Sequence, residues 1–103
     1  MVVYMPRLTY KQKFNKKHGQ PLSTANSKAR IAELSKISYD AADRIVKKGE
    51  AAFHNNPASV RPFVKNATQW GYARLYSAVM GGPAAEKDKL ELIRGRREFR
   101  EAA

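Results

Sequence analysis

The chain has 103 residues, twenty Lys or Arg against nine Asp or Glu, a formal charge of +11 and no cysteine. That length holds one domain with one modest core, and the missing thiols exclude disulfides, thiol nucleophiles and thiolate metal sites. A mean hydropathy of −0.62 and the lack of any apolar run near the ~20 residues a bilayer requires predict a protein with no membrane association.

The charge is unevenly placed. Residues 1–36 carry Arg7, Lys11, Lys13, Lys16, Lys17, Lys28, Arg30 and Lys36 against Glu33 alone, whereas residues 84–103 balance six basic with five acidic side chains. A clustered positive field selects a polyanionic partner, and nucleic acid is the first such partner to consider.

Residues 1–25 show no sustained helical period and collect Pro6, Gly19 and Pro21, which predicts an extended basic arm that orders against something else. Val2, Val3, Tyr4, Met5 and Leu8 suit one short strand, but a lone strand needs a partner edge. Tyr10 and Phe14 sit among the lysines. Such rings either stack on bases while the ammonium groups meet phosphates, or pin the arm onto the folded body.

A helical core domain is expected over 26–82. Asn26 or Ser27 caps a short helix running to about Ser35, and Ser38 caps a second. Ala41, Ala42, Ile45, Val46, Ala52 and Phe53 repeat at three and four residues straight through Gly49, so the period favours a helix continuing to about His54. Residues 31–48 thus resemble a helix-turn-helix, although Tyr39, Asp40 and Asp43 at the reading position set carboxylates against a phosphate-lined groove. A plain helical hairpin is the competing reading.

Pro57 and Pro62 make 57–65 an extended loop. Asn66 with Gln69 resembles a capping box and opens a helix from Trp70 to Met80 that is apolar nearly all round, the expected centre of the core. Gly81-Gly82-Pro83 stops it. Residues 83–103 read as a charged C-terminal helix, either continuous or broken at Gly95, whose sparse apolar stripe docks on the core or on another subunit. The fold class expected is all-α: a small bundle of three to four helices with an extended basic N-terminal arm.

Little here supports catalysis. Two histidines, no interpretable Ser-His-Asp or Glu-His pairing and no phosphate-cradling glycine motif predict a non-enzymatic protein without cofactor or metal. The residues expected to contact nucleic acid, DNA before RNA, are Arg7, Lys11, Lys13, Lys16, Lys17, Lys28 and Arg30 of the arm, joined by Lys47, Lys48, Arg61 and Lys65 of the body; Tyr10 and Phe14 stack or anchor. Arg74, four residues after Trp70, suits a cation over the indole face.

Val46-Lys47-Lys48-Gly49 with Ala52-Phe53, Asn56-Pro57-Ala58-Ser59-Val60-Arg61-Pro62, Gln69-Trp70-Gly71-Tyr72-Ala73-Arg74-Leu75-Tyr76-Ser77 and Met80-Gly81-Gly82 with Asp88 together resemble an uncharacterised family of small basic proteins and terminal segments from tailed phages and large DNA viruses. Where that pattern has basic residues after the paired glycines, this chain has Pro83-Ala84-Ala85. The resemblance implies a viral origin and supplies no activity. The expectations are a genome-associated protein in the virion or host cytoplasm or, alternatively, a virion structural subunit, minor capsid, cement or tail-associated, whose arm threads along neighbouring subunits, with homo-oligomers as one arrangement.

Overall fold

The lysine-rich stretch expected to be an extended arm is helical. In the computed structural model, which describes residues 7–55 and 66–102, six helices follow in order: α1 (Tyr10–Lys17), α2 (Lys28–Ser35), α3 (Tyr39–Asn55), α4 (Ala67–Val79), α5 (Pro83–Lys87) and α6 (Lys89–Ala102). No strand occurs among the described residues. The short strand expected around Val2–Met5 and the loop expected at 57–65 lie outside them or almost so, since of these residues only Leu8 is described, and it is not in a strand.

The arm expectation fails for two physical reasons. Thr9 closes a capping box with Gln12, its hydroxyl accepting the Gln12 N–H at 3.1 Å while the Gln12 side chain accepts the Thr9 N–H at 2.9 Å, which satisfies two of the donors a helix start leaves open. Phe14 is then fully buried, edge-on to Tyr76 with ring centroids 5.4 Å apart. Phe14 is therefore a core residue and offers no face to a base.

Asn15, also fully buried, holds the loop that follows. Its amide N–H groups donate to the carbonyls of Leu22 (2.9 Å) and Thr24 (3.1 Å). Its Oδ1 accepts from Gln20 (3.0 Å) and Asn26 (2.8 Å), and Asn26 donates on to the Tyr76 hydroxyl at 3.0 Å. A buried network of this kind rigidifies when every member is satisfied and destabilises when one is lost. Asn15→Leu is expected to cost about 2–3 kcal/mol through the orphaned partners, read as a lowered thermal midpoint with α4 still helical.

Ser27 caps α2 by accepting the Arg30 N–H at 3.1 Å, and Ser38 caps α3 through the Ala41 N–H at 3.1 Å. Asn66 caps α4 by accepting the Gln69 N–H at 2.7 Å. Lys36, at φ 58°, makes the left-handed turn between α2 and α3. Helix α3 runs through Gly49 without a break, as the apolar period predicts.

Helices α3 and α4 form the principal pair, and they cross where two glycines meet. A Cβ on Gly49 would fall 2.6 Å from the Gly71 Cα, and one on Gly71 would fall 2.6 Å from the Val46 carbonyl oxygen. Ile31, Ala42, Ile45, Val46, Leu75 and Ala78 fill the core around this crossing. The C-terminal segment is two helices, because Pro83 starts α5 behind Gly82 and Asp88 ends it. Helix α6 is continuous at Gly95. There α6 passes so near α3 that a Cβ would lie 2.7 Å from that of Ala41, and the Gly95 carbonyl accepts the Ser38 N–H at 3.0 Å; the glycine serves close approach rather than helix termination.

Candidate nucleic-acid interface

The placement of the nine carboxylates decides which cations remain available. Asp43 accepts from Lys28 at 2.7 Å and from Lys47 at 2.9 Å, contacts that hold its carboxyl below the usual carboxylate range. Arg44 of α3 donates to Glu91 (2.6 Å) and Glu98 (3.1 Å) of α6. Arg74 grips both oxygens of the buried Asp88 at 2.8 Å, and Lys48 lies 4.0 Å from Asp88 and 3.8 Å from Glu91. Lys28 of α2, Arg44, Lys47 and Lys48 of α3 and Arg74 of α4 thus meet carboxylates of α3, α6 and the α5–α6 junction, and the contacts between helices stitch the bundle. The expected cation over the Trp70 indole is instead a bidentate guanidinium–carboxylate pair between α4 and Asp88, the stronger contact for a planar fork.

No such cancellation reaches α1. Arg7, Lys11, Lys13, Lys16, Lys17, Arg30 and Lys36 make no ion pair among the described residues. Lys13, Lys16 and Lys17 stand at helical spacing on the exposed side of α1, opposite Phe14 and Asn15. Such a row at fixed spacing matches a run of phosphates better than a loose tail does, because the ammonium groups are positioned before the partner arrives.

Beyond Lys17 the basic surface continues into a hollow of about 390 Å³ lined by Lys17, His18, Lys36 and Arg96, with no carboxylate among the described residues of its wall. The last residues of α1, α2 and α4 (Lys17, Ser35 and Val79) also line it. Each helix end contributes about half a negative charge, so three of them offset only part of the three full cations. The hollow stays net positive.

His18 sits in this wall, its ring 4.5 Å from that of Phe14. Burial, and then the positive charges of Lys17 and Arg30, push its pKa below the ordinary 6.5. The folded chain therefore resists a proton that the unfolded chain accepts, so this residue makes stability fall as pH drops from about 6.5 toward the lower folded value. An anion in the hollow favours the imidazolium form. Saturating phosphate or oligonucleotide is accordingly expected to raise the His18 pKa measured from its ring C–H resonances in an NMR titration.

Several expected contact residues fall elsewhere. Lys28 and Lys47 are tied to Asp43, and Lys48 faces Asp88 and Glu91, so the charge of these three is partly met within the fold. Arg61 and Lys65 lie outside the described residues. Tyr10 is partly buried against the core, with Lys13 Nζ 5.0 Å above its ring. The start of α3 exposes Tyr39 and Asp40, and Lys28 Nζ of α2 lies 5.7 Å from the centroid of the Tyr39 ring. Lys36 and Arg96 are additions: the first had a signal in its place at a helix end, and the second had none, being one charge among many of both signs.

Among the described residues no group of three His, Asp or Glu is placed to hold a metal ion, and no helix is long and apolar enough to cross a membrane. Comparison with protein-family models, curated proteins and solved structures finds no match.

Proposed function

We propose that this chain is a non-enzymatic nucleic-acid-binding protein that grips phosphates without regard to sequence, acting with a viral genome in the particle or in the host cytoplasm. The observation that carries this reading is the segregation of charge. Carboxylates pair with Arg44, Lys47 and Lys48 of α3, Arg74 of α4 and Arg94 and Arg97 of α6, while the cations of α1 and of the adjoining hollow, Arg96 of α6 included, make no ion pair among the described residues. The viral setting rests on the resemblance of the 45–90 block.

Salt dependence tests it. Engagement of Arg7, Lys13, Lys16, Lys17, Lys36 and Arg96 gives a slope of about −5 for log affinity against log salt on duplex DNA, from roughly 0.9 per phosphate neutralised. A slope near zero, or no retention of DNA at low salt, overturns the proposal.

A second reading, a virion structural subunit, has one observation in its favour. Leu90 is 81% and Ile93 50% exposed on α6, an apolar pair at helical spacing suited to a neighbouring subunit. It does not use residues 7–25 as a threading arm, because α1 and the Asn15 network hold that segment on its own body.

A further inference from the structure

We propose that a groove beside α4 accepts unpaired bases, so that the preferred ligand is single-stranded nucleic acid; this rests on the proposed function and specifies its substrate. The groove, about 710 Å³, lies between the start of α1, α4 and α5. That falls inside the ~300–1,000 Å³ range of sites that hold small organic ligands. Four aromatic side chains line it: Tyr76 is buried, while Tyr10, Trp70 and Tyr72 are partly exposed.

Its charge has one sign. Among the described residues Lys11, Arg74 and Lys87 line the groove and no carboxylate does. Arg74 is held by Asp88, while Lys11 and Lys87 make no ion pair among the described residues. Rings flanked by free ammonium groups are the arrangement that binds single strands, with bases stacked on the rings and phosphates on the cations. A duplex keeps its bases stacked inside and cannot use such a groove. An apolar peptide would gain nothing from the two lysines, and an acidic one nothing specific from three aromatic faces.

The Tyr10 ring is held in place. A Cβ at Gly82 would lie 2.5 Å from its Cζ and 2.6 Å from the Ser77 hydroxyl, and the same hydroxyl accepts the Ala84 N–H at 3.1 Å. The turn after α4 thereby fixes one wall of the groove against α1. Lys11 projects from α1 away from the Lys13–Lys16–Lys17 row. A strand with its bases in the groove can pass its backbone over α1 to that row.

Trp70 is the chain's one tryptophan, so its emission reports on this groove directly. The full chain is titrated at fixed salt with an oligothymidylate and with a duplex of equal length. Tryptophan emission and the anisotropy of a labelled oligonucleotide are followed together. The expected result is strong quenching by the single strand, with affinity at least about ten-fold above that for the duplex. Lys11→Glu with Lys87→Glu, two rim changes that leave circular dichroism unaltered, removes that advantage and the quenching. Binding of both ligands with equal affinity and unchanged emission overturns the groove assignment and leaves the proposed function standing. No binding of either ligand overturns both.

Discussion

Replacing Lys13, Lys16 and Lys17 together with glutamine is expected to weaken nucleic-acid binding about 10²- to 10³-fold at 0.1 M salt. Each phosphate contact contributes about 0.9 to the slope of log affinity against log salt. Three lost contacts flatten the slope by about 2.7, and the two lines converge near 1 M salt. The fold should not change, because all three side chains are exposed and none is in an ion pair. Relief of repulsion between like charges at helical spacing is offset by the loss of Lys16 and Lys17 from the negative end of α1 and of Lys13 from the Tyr10 ring, so the thermal midpoint should move little. An affinity within two-fold of the parent chain would remove α1 from the interface. The matched control is Lys47→Gln with Arg94→Gln, on cations already paired with Asp43 and Glu98, which should leave binding nearly intact.

Gly71→Ala is expected to cost about 2–3 kcal/mol, the usual penalty for an added methyl in a filled interior, and to lower the thermal midpoint by roughly 10–20 °C in a chain of this size. The new Cβ would meet the Val46 carbonyl oxygen at 2.6 Å and the Val46 Cγ1 at 2.9 Å. A backbone atom cannot step aside as a side chain can, so the two helices must separate. Separation loosens Ile45, Val46 and Leu75 together, all of which are at most 2% exposed. Gly49→Ala should behave alike, its Cβ falling 2.6 Å from the Gly71 Cα. Gly81→Ala is the contrast. That residue has φ +76° with nothing within 4 Å of the added carbon, so only the backbone preference is lost, about 1–2 kcal/mol. Calorimetry on the three variants separates close approach from conformational freedom, and equal losses at all three positions would contradict the crossing.

The parts of the fold governed by local rules are legible in the sequence. Capping at Ser27, Ser38 and Asn66, the period that carries α3 through Gly49, and the stop at Gly81-Gly82-Pro83 each depend on residues within one or two turns. The parts set by distant contacts are not. Helix α1 has only Tyr10 and Phe14 as apolar residues, and its following loop is held by Asn15 bonds reaching Leu22, Thr24 and Asn26, with Tyr76 fifty positions beyond Asn26. A lysine-rich stretch of this kind carries the composition of an arm, and Thr9 with Gln12 was the one local signal against it. Gly95 misleads in the opposite way. In isolation it weakens a helix, but against Ala41 and Ile37 it is the residue that lets α6 close on α3.

The interface divides along the same line. The excess charge near the N-terminus is visible in composition, but which cations stay unpaired depends on where α3 and α6 place their carboxylates. Lys28 shows this, since it belongs to the basic cluster in sequence and to Asp43 in space. Lys17, Lys36 and Arg96 line one hollow although the last two lie sixty residues apart.

Amide chemical-shift mapping of the isotope-labelled chain during an oligonucleotide titration tests the central claim most directly. The largest shifts should fall on Lys13, Lys16, Lys17, His18, Lys36 and Arg96, and the outer positions Lys47, Lys48 and Arg97 should stay still. Shifts concentrated on Lys47, Lys48 and the exposed side of α6, with α1 silent, would contradict it.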